Sequence, residues 1–395
     1  MIEVVSSESV GIPADRLLAI DAAMQSYVNQ GKLAGIATLI ACKGKIIHFG
    51  CYGHLDLAAG TLIRPDSLFR IYSLTKPVTS VAALMLYEDG LFDLDEPVWK
   101  WIPEFKGLRV WQEGYGLNGA TIALEREITF RHLFTHTSGL GYGWGEPTDP
   151  VDKIYLEAQI IHPLLLTFNY PLIELVRIVS ALPLTDQPGA RWHYSLSHDV
   201  LGYLIELISG KSFEAFLRER LFTPLGMVDT SFCVPPEKLA RFGPLYNYSE
   251  QDGLTVFDDV ATSPFVHSDV ISSGGAGLVS SMPDYYRFMS MLTNGGTLDG
   301  FRILKQSTVT QMLANQLSGS AFPVRFDDAW PGMGYRLGIG VQTMESHQVG
   351  WIGISGTTAW WYPKEGMFVM ALPQVLFNWE ASDRLLEMAG ELLSS

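Results

Sequence analysis

The chain has 395 residues, of which 47% are hydrophobic and 17% charged, a composition that excludes a disordered polymer and fits a folded globular protein. A net charge of −15 opposes nucleic acid or anionic lipid as a partner. No run of about 18 apolar residues occurs, so no membrane-spanning helix is expected despite a mean hydropathy of +0.15.

The N-terminus, Met1-Ile-Glu-Val-Val-Ser-Ser-Glu-Ser9, has neither a basic start nor a long apolar run and does not read as a secretory signal. Cys42, Cys51 and Cys233 include no Cys-x-x-Cys; they read as core thiols, and a cytoplasmic protein is expected. In chain order, residues 13–30 read as an amphipathic helix. Pro13 suits its start, Leu17, Ile20, Met24 and Val28 share a face, and Gly31 ends it. The apolar run 35–42, the turn Lys43-Gly44 and the return 45–51 read as a β-hairpin. Helical spacing follows over 74–89, 129–137, 198–209 and 213–221. The stretch 138–190, rich in Gly, Pro and aromatics, reads as long loops. Strand-like runs return at 337–342, 357–362 and 367–372, with Pro363-Lys-Glu-Gly366 joining the last two. Residues 380–394 read as a terminal helix. Strands at both ends around a helical middle imply a discontinuous α/β domain, 1–72 with 265–395, and a mainly helical domain, 73–264.

Three stretches carry candidate chemistry. In Ile71-Tyr-Ser73-Leu-Thr-Lys76, Ser73 is expected at a helix N-cap with Lys76 one turn on, on the same face. A serine hydroxyl is a weak nucleophile and needs a base nearby, and burial turns a lysine amine into one. The helix N-terminus adds positive potential beside developing negative charge. About one Ser-x-x-Lys arises by chance in a chain of this length; this is the only one here. The second stretch is Arg191-Trp-His-Tyr194-Ser-Leu196-Ser197. The third is Val349-Gly-Trp351-Ile-Gly353-Ile354-Ser-Gly356-Thr357, whose glycines allow the close backbone approach that an oxyanion hole needs. Taken singly, these also read as a capped helix, an aromatic cluster and a glycine-punctuated strand end.

Together the three resemble the serine β-lactamase and penicillin-binding protein superfamily, in particular its class C and family VIII carboxylesterase branches. Further stretches resemble it in the same order: Gly90-Leu-Phe-Asp-Leu-Asp-Glu-Pro97, Ile128 to Gly139 with its His136-Thr-Ser-Gly turn, Pro188 to Ser195, and Gly274 to Ser281. The resemblance implies an antiparallel sheet flanked by helices beside a helical domain. It implies Ser73 as nucleophile, Lys76 and Tyr194 as the base system, and the Ser73 and Ile354 N–H groups as the oxyanion hole. Tyr194 is expected in a low-pKa or shared-proton state. His136 is expected to be structural.

Two departures bear on the substrate. Class C enzymes carry Tyr-x-Asn where this chain has Tyr194-Ser-Leu196, and Lys-Thr-Gly where it has Trp351-Ile352-Gly353. Leu, Trp and Ile cannot supply the polar contacts a β-lactam needs. A small, uncharged, short-chain or aromatic ester is the expected substrate, with Trp351, Gly353, Leu196 and Tyr142 against it. Trp111, Tyr115, Trp144, Tyr170, Phe265 and Trp330 are further candidates to line an apolar cleft. Acyl transfer to an alcohol, weak β-lactamase or D-aminopeptidase activity, and a non-catalytic binding role remain open alternatives. The chain has no Gly-x-Ser-x-Gly, no His-Glu-x-x-His and no complete P-loop, so neither metal nor cofactor is expected. The oligomeric state is left open.

Overall fold

The computed structural model describes residues 3–114, 119–144, 148–162, 165–267, 272–317, 319–321, 324, 334–341 and 348–393. Helix α1 (Ala14–Asn29) starts after Pro13 and stops where Gly31 adopts φ 71°. The hairpin follows as β1 (Gly35–Cys42) and β2 (Lys45–Asp56), then β3 (Thr61–Leu62) and β4 (Leu68–Arg70). Helices α2 (Thr75–Glu88), α3 (Phe130–Phe134), α4 (Pro150–Glu157), α5 (Leu172–Val179) and α6 (Ser197–Ser209) lie in the middle of the chain. Then come β5 (Val279–Ser281) and α7 (Met282–Thr293). The strands β6 (Gly334–Tyr335), β7 (Gly340–Val341), β8 (Val349–Ile352), β9 (Thr358–Tyr362) and β10 (Met367–Pro373) precede α8 (Glu380–Glu391).

One sheet runs β6-β7-β8-β9-β10-β1-β2-β3 with every neighbour antiparallel. Both of its faces are covered, and so β1 is buried at every position. Side chains alternate across it. Ile36, Ile40 and Cys42 join Ile20 and Met24 of α1 and Leu385 and Ala389 of α8 in one core. Ala37, Leu39 and Ala41 face a second, larger core shared with α2 and the other middle helices. Helix α2 is the centre of that core: everything from Thr75 to Leu86 is buried. The short ribbon β4–β5 delivers the chain to the start of α2.

Several expectations are corrected. The stretch 138–190 is not loop throughout, since it holds α4 and α5, short amphipathic helices each preceded by or opening on proline. The helix expected over 129–137 is one turn long, opened by a capping box in which Thr129 and His132 satisfy each other's backbone N–H groups. Within 337–342 only Gly340–Val341 is strand, because Gly338 turns at φ 75° against Ser80; residue 342 lies outside the described residues. Residue 394 of the expected terminal helix is likewise outside them. The helical run expected over 213–221 becomes α-helix over Phe213–Leu217, then a π turn over Arg218–Phe222. Cys42 is a core thiol, whereas Cys51 and Cys233 are partly exposed.

Candidate active site

Ser73 does not cap α2. It sits in a 3-10 turn, Tyr72–Leu74, and Leu74 occupies the cap position. The turn is forced by Tyr72, a non-glycine residue at φ 43° whose ring is fully buried edge-on to Phe265, with centroids 5.8 Å apart. Ser73 is 4% exposed and Lys76 is fully buried. Lys76 Nζ lies 3.3 Å from Ser73 Oγ and donates to the Gly275 carbonyl at 2.9 Å. Removal from water brings the lysine down to about 7, opposed by the charge of Asp199.

Tyr194 completes the cluster from the segment before α6. Its hydroxyl is hydrogen-bonded with the Ser73 side chain and accepts from Trp351 Nε1 at 3.1 Å. Its ring centroid is 4.4 Å from Lys76 Nζ and 5.4 Å from the Tyr142 ring, which lies parallel to it. Burial raises the Tyr194 hydroxyl above its ordinary value. Of the expected low-pKa or shared-proton state of Tyr194, burial opposes the first, and the group that burial depresses is Lys76. His136 supports this arrangement. It lies 4.7 Å from the Tyr194 ring, and its Nδ1 accepts from the Ser195 N–H at 3.2 Å. Burial holds His136 well below its ordinary value, so it is neutral.

The edge of β8 closes the other side. Gly353 is required there, since a Cβ would lie 2.3 Å from Thr357 Oγ1 and 2.6 Å from the Ile71 carbonyl. Ser355 Oγ donates to the Arg70 carbonyl at 2.9 Å, tying the Gly353–Ile354 segment to the strand that leads to Ser73. Trp351 is 3% exposed and packs edge-on to Tyr335 at 5.1 Å. Ile354 is 6% exposed, Leu196 is 1% exposed within the larger core, and Tyr142 is 2% exposed behind Tyr194. Of the further aromatics, Trp144 packs on Tyr142 at 6.2 Å. Tyr170 stacks on Phe168 at 5.3 Å, and Trp111 packs against the larger core. Tyr115 and Trp330 lie outside the described residues.

Sequence reasoning gave no role to Asp199 or Ser273, and read Gly275 only as part of the Gly274 to Ser281 stretch. The carboxylate of Asp199 accepts from Ser273 Oγ at 2.6 Å and from the Gly275 N–H at 3.2 Å. An acidic residue opening an otherwise apolar helix was the available signal. Among the described residues no group of three or more His, Cys, Asp or Glu is arranged to hold a metal ion.

A serine hydroxyl 3.3 Å from a buried amine of near-neutral pKa, and hydrogen-bonded with a phenol, is an arrangement that can serve a serine hydrolase-type enzyme. The chain belongs to the β-lactamase family, which it matches over residues 20–389. It is 32% identical over 289 residues to Esterase EstB of Burkholderia gladioli, covering 69% of each chain. It is 30% identical over 317 residues to monacolin J acid methylbutanoyltransferase of Aspergillus terreus, covering 76% of this chain and 71% of the other. The structure of EstCE1, a hydrolase with promiscuous acyltransferase activity, shares the fold with TM-score 0.79 at 22% identity, over 96% of this chain and 99% of that one.

Proposed function

We propose that this enzyme is a carboxylesterase acting on small uncharged esters through an acyl-enzyme on Ser73. The observation that carries the reading is the buried Lys76 nitrogen, near-neutral in pKa and 3.3 Å from Ser73 Oγ. Ser73 Oγ attacks the ester carbonyl while its proton passes to Lys76, directly or through the Tyr194 hydroxyl. The backbone N–H groups of Ser73 and Ile354 hold the tetrahedral oxyanion. The leaving alkoxide takes a proton back from the Lys76–Tyr194 pair, and water then cleaves the acyl-enzyme by the reverse route. Trp351 spends its indole N–H on Tyr194 and offers no cation for a substrate carboxylate. An uncharged acyl group suits such a wall of Trp351 and Gly353, with Leu196 in the larger core and Tyr142 behind Tyr194 supporting it. We place the enzyme in the cytoplasm, in keeping with a chain of three cysteines that form no disulfide with one another.

Acyl transfer to an alcohol is the second reading, favoured by the likeness to the Aspergillus acyltransferase and by the small water-accessible area at Ser73. A panel of p-nitrophenyl esters of increasing acyl length, run with and without an alcohol acceptor and beside nitrocefin, separates the readings. Hydrolysis of short esters well above nitrocefin is the expected result. Product found mainly as a new ester favours transfer, and turnover of nitrocefin alone rejects the esterase reading.

A further inference from the structure

Asp199 is the buried charge that this mechanism leaves unused. It stands in the first turn of α6, 1% exposed. Its Oδ1 takes the Ser273 hydroxyl and the Gly275 N–H, and the carbonyl of that same glycine takes Lys76 Nζ. One residue is therefore gripped by the carboxylate on its N–H side and by the amine on its carbonyl side. The fit is close: a Cβ on Gly275 would lie 2.7 Å from Asp199 Oδ2 and 3.5 Å from Lys76 Nζ. Ser273 Oγ also accepts the Ala276 N–H at 3.0 Å, so the carboxylate holds the whole turn 273–276. Burying a carboxylate is costly unless its surroundings use it.

We propose that Asp199 is the positioning residue of the Ser73–Lys76 pair, clamping the 273–276 turn so that the Gly275 carbonyl holds the lysine nitrogen against Ser73. Its charge has a second effect, since a nearby anion favours the protonated amine. The other groups facing Lys76 are Ser73 on its own turn, Tyr194 and Tyr142 in front, His136 after α3, and His198 on α6. Burial keeps both histidines neutral and both phenols protonated. Burial raises the Asp199 carboxyl above its ordinary value, opposed by the Ser273 hydroxyl, the Lys76 charge and the Gly275 N–H, and among these groups it is the one acid facing Lys76.

The inference rests on Lys76 acting as the base. The test is the pH profile of kcat/KM for p-nitrophenyl acetate in the full-length wild type, Asp199→Asn and Asp199→Ala, with melting temperatures alongside. Asparagine keeps the Oδ1 acceptor and removes the charge. Its acidic limb should move down by about one pH unit, with plateau activity within a few-fold of wild type. Alanine frees the turn, so plateau kcat should fall about 100-fold with little change in KM. If the alanine variant does not fold, Ser273→Ala, which removes the hydroxyl that Asp199 holds, takes its place with the same expected loss. A folded variant of this kind with wild-type plateau kcat overturns the clamp, and an asparagine limb superimposable on wild type overturns the charge effect, provided Ser73→Ala and Lys76→Ala are inactive. Wild-type turnover in Ser73→Ala or Lys76→Ala overturns the esterase reading beneath it instead.

Discussion

A single lysine shows how function and stability oppose one another at this site. Lys76 has a folded pKa of about 7 against an ordinary 10.5, so the unfolded chain binds more protons between those values. The cost of burying it is therefore fully present below about pH 7 and fades as pH rises through that window. Lys76→Met should abolish ester turnover yet raise the melting temperature by roughly 3–5 °C below pH 7. The gain should shrink as the pH approaches 10.5, where the wild-type lysine loses its penalty. Melting curves of both proteins across that range check this, and a gain independent of pH contradicts it. The meeting of Ser73, Lys76 and Tyr194 was legible in the sequence because each lies in a recognisable local pattern. Asp199 was not. It meets Lys76 through the backbone of Gly275, and 76 positions separate Asp199 from that glycine in the chain, a contact that only the packing of α6 against the 273–276 turn creates.

Among the elements, those with long apolar periodicity were legible: α1, α2, α6, the β1–β2 hairpin and the β9–β10 hairpin all fall close to their expected limits. Short elements held by tertiary contacts were not. Helices α4 and α5 have eight residues each, too few to show a period beside their Gly, Pro and aromatic neighbours. The hairpins Arg109–Glu113 with Ala120–Ala123 and Leu245–Ser249 with Gly253–Asp258 also went unread. Strand β8 matters most for the site, and its approach to the Ser73 turn depends on one missing side chain. Gly353→Ala would drive a methyl group against the Ile71 carbonyl and move the Ile354 N–H away from Ser73. We expect kcat/KM to fall by about 100-fold or more, while far-UV circular dichroism stays native. Steady-state kinetics on a short p-nitrophenyl ester measure this, and a variant within a few-fold of wild type would remove Gly353 from the site.

At the scale of the molecule, the sheet separates two cores. α1 and α8 seal one face, and the other packs on the helices that carry Lys76 and Asp199. The Ser73 turn lies where the β4–β5 ribbon enters the larger core, which is why Ser73 and Lys76 can be dry while the end of β8 still reaches them from the sheet. The antiparallel sheet flanked by helices was expected from the resemblance and is observed. No helix among the described residues is long and apolar enough to cross a membrane. The central claim is that one serine in this assembly is a nucleophile. Intact-mass spectrometry after treatment with a p-nitrophenyl phosphonate tests it most directly. The account predicts one phosphonyl adduct per chain, located by peptide mapping at Ser73, absent from Ser73→Ala and accompanied by loss of ester turnover. An unmodified wild-type chain, or an adduct that persists in Ser73→Ala, would contradict it.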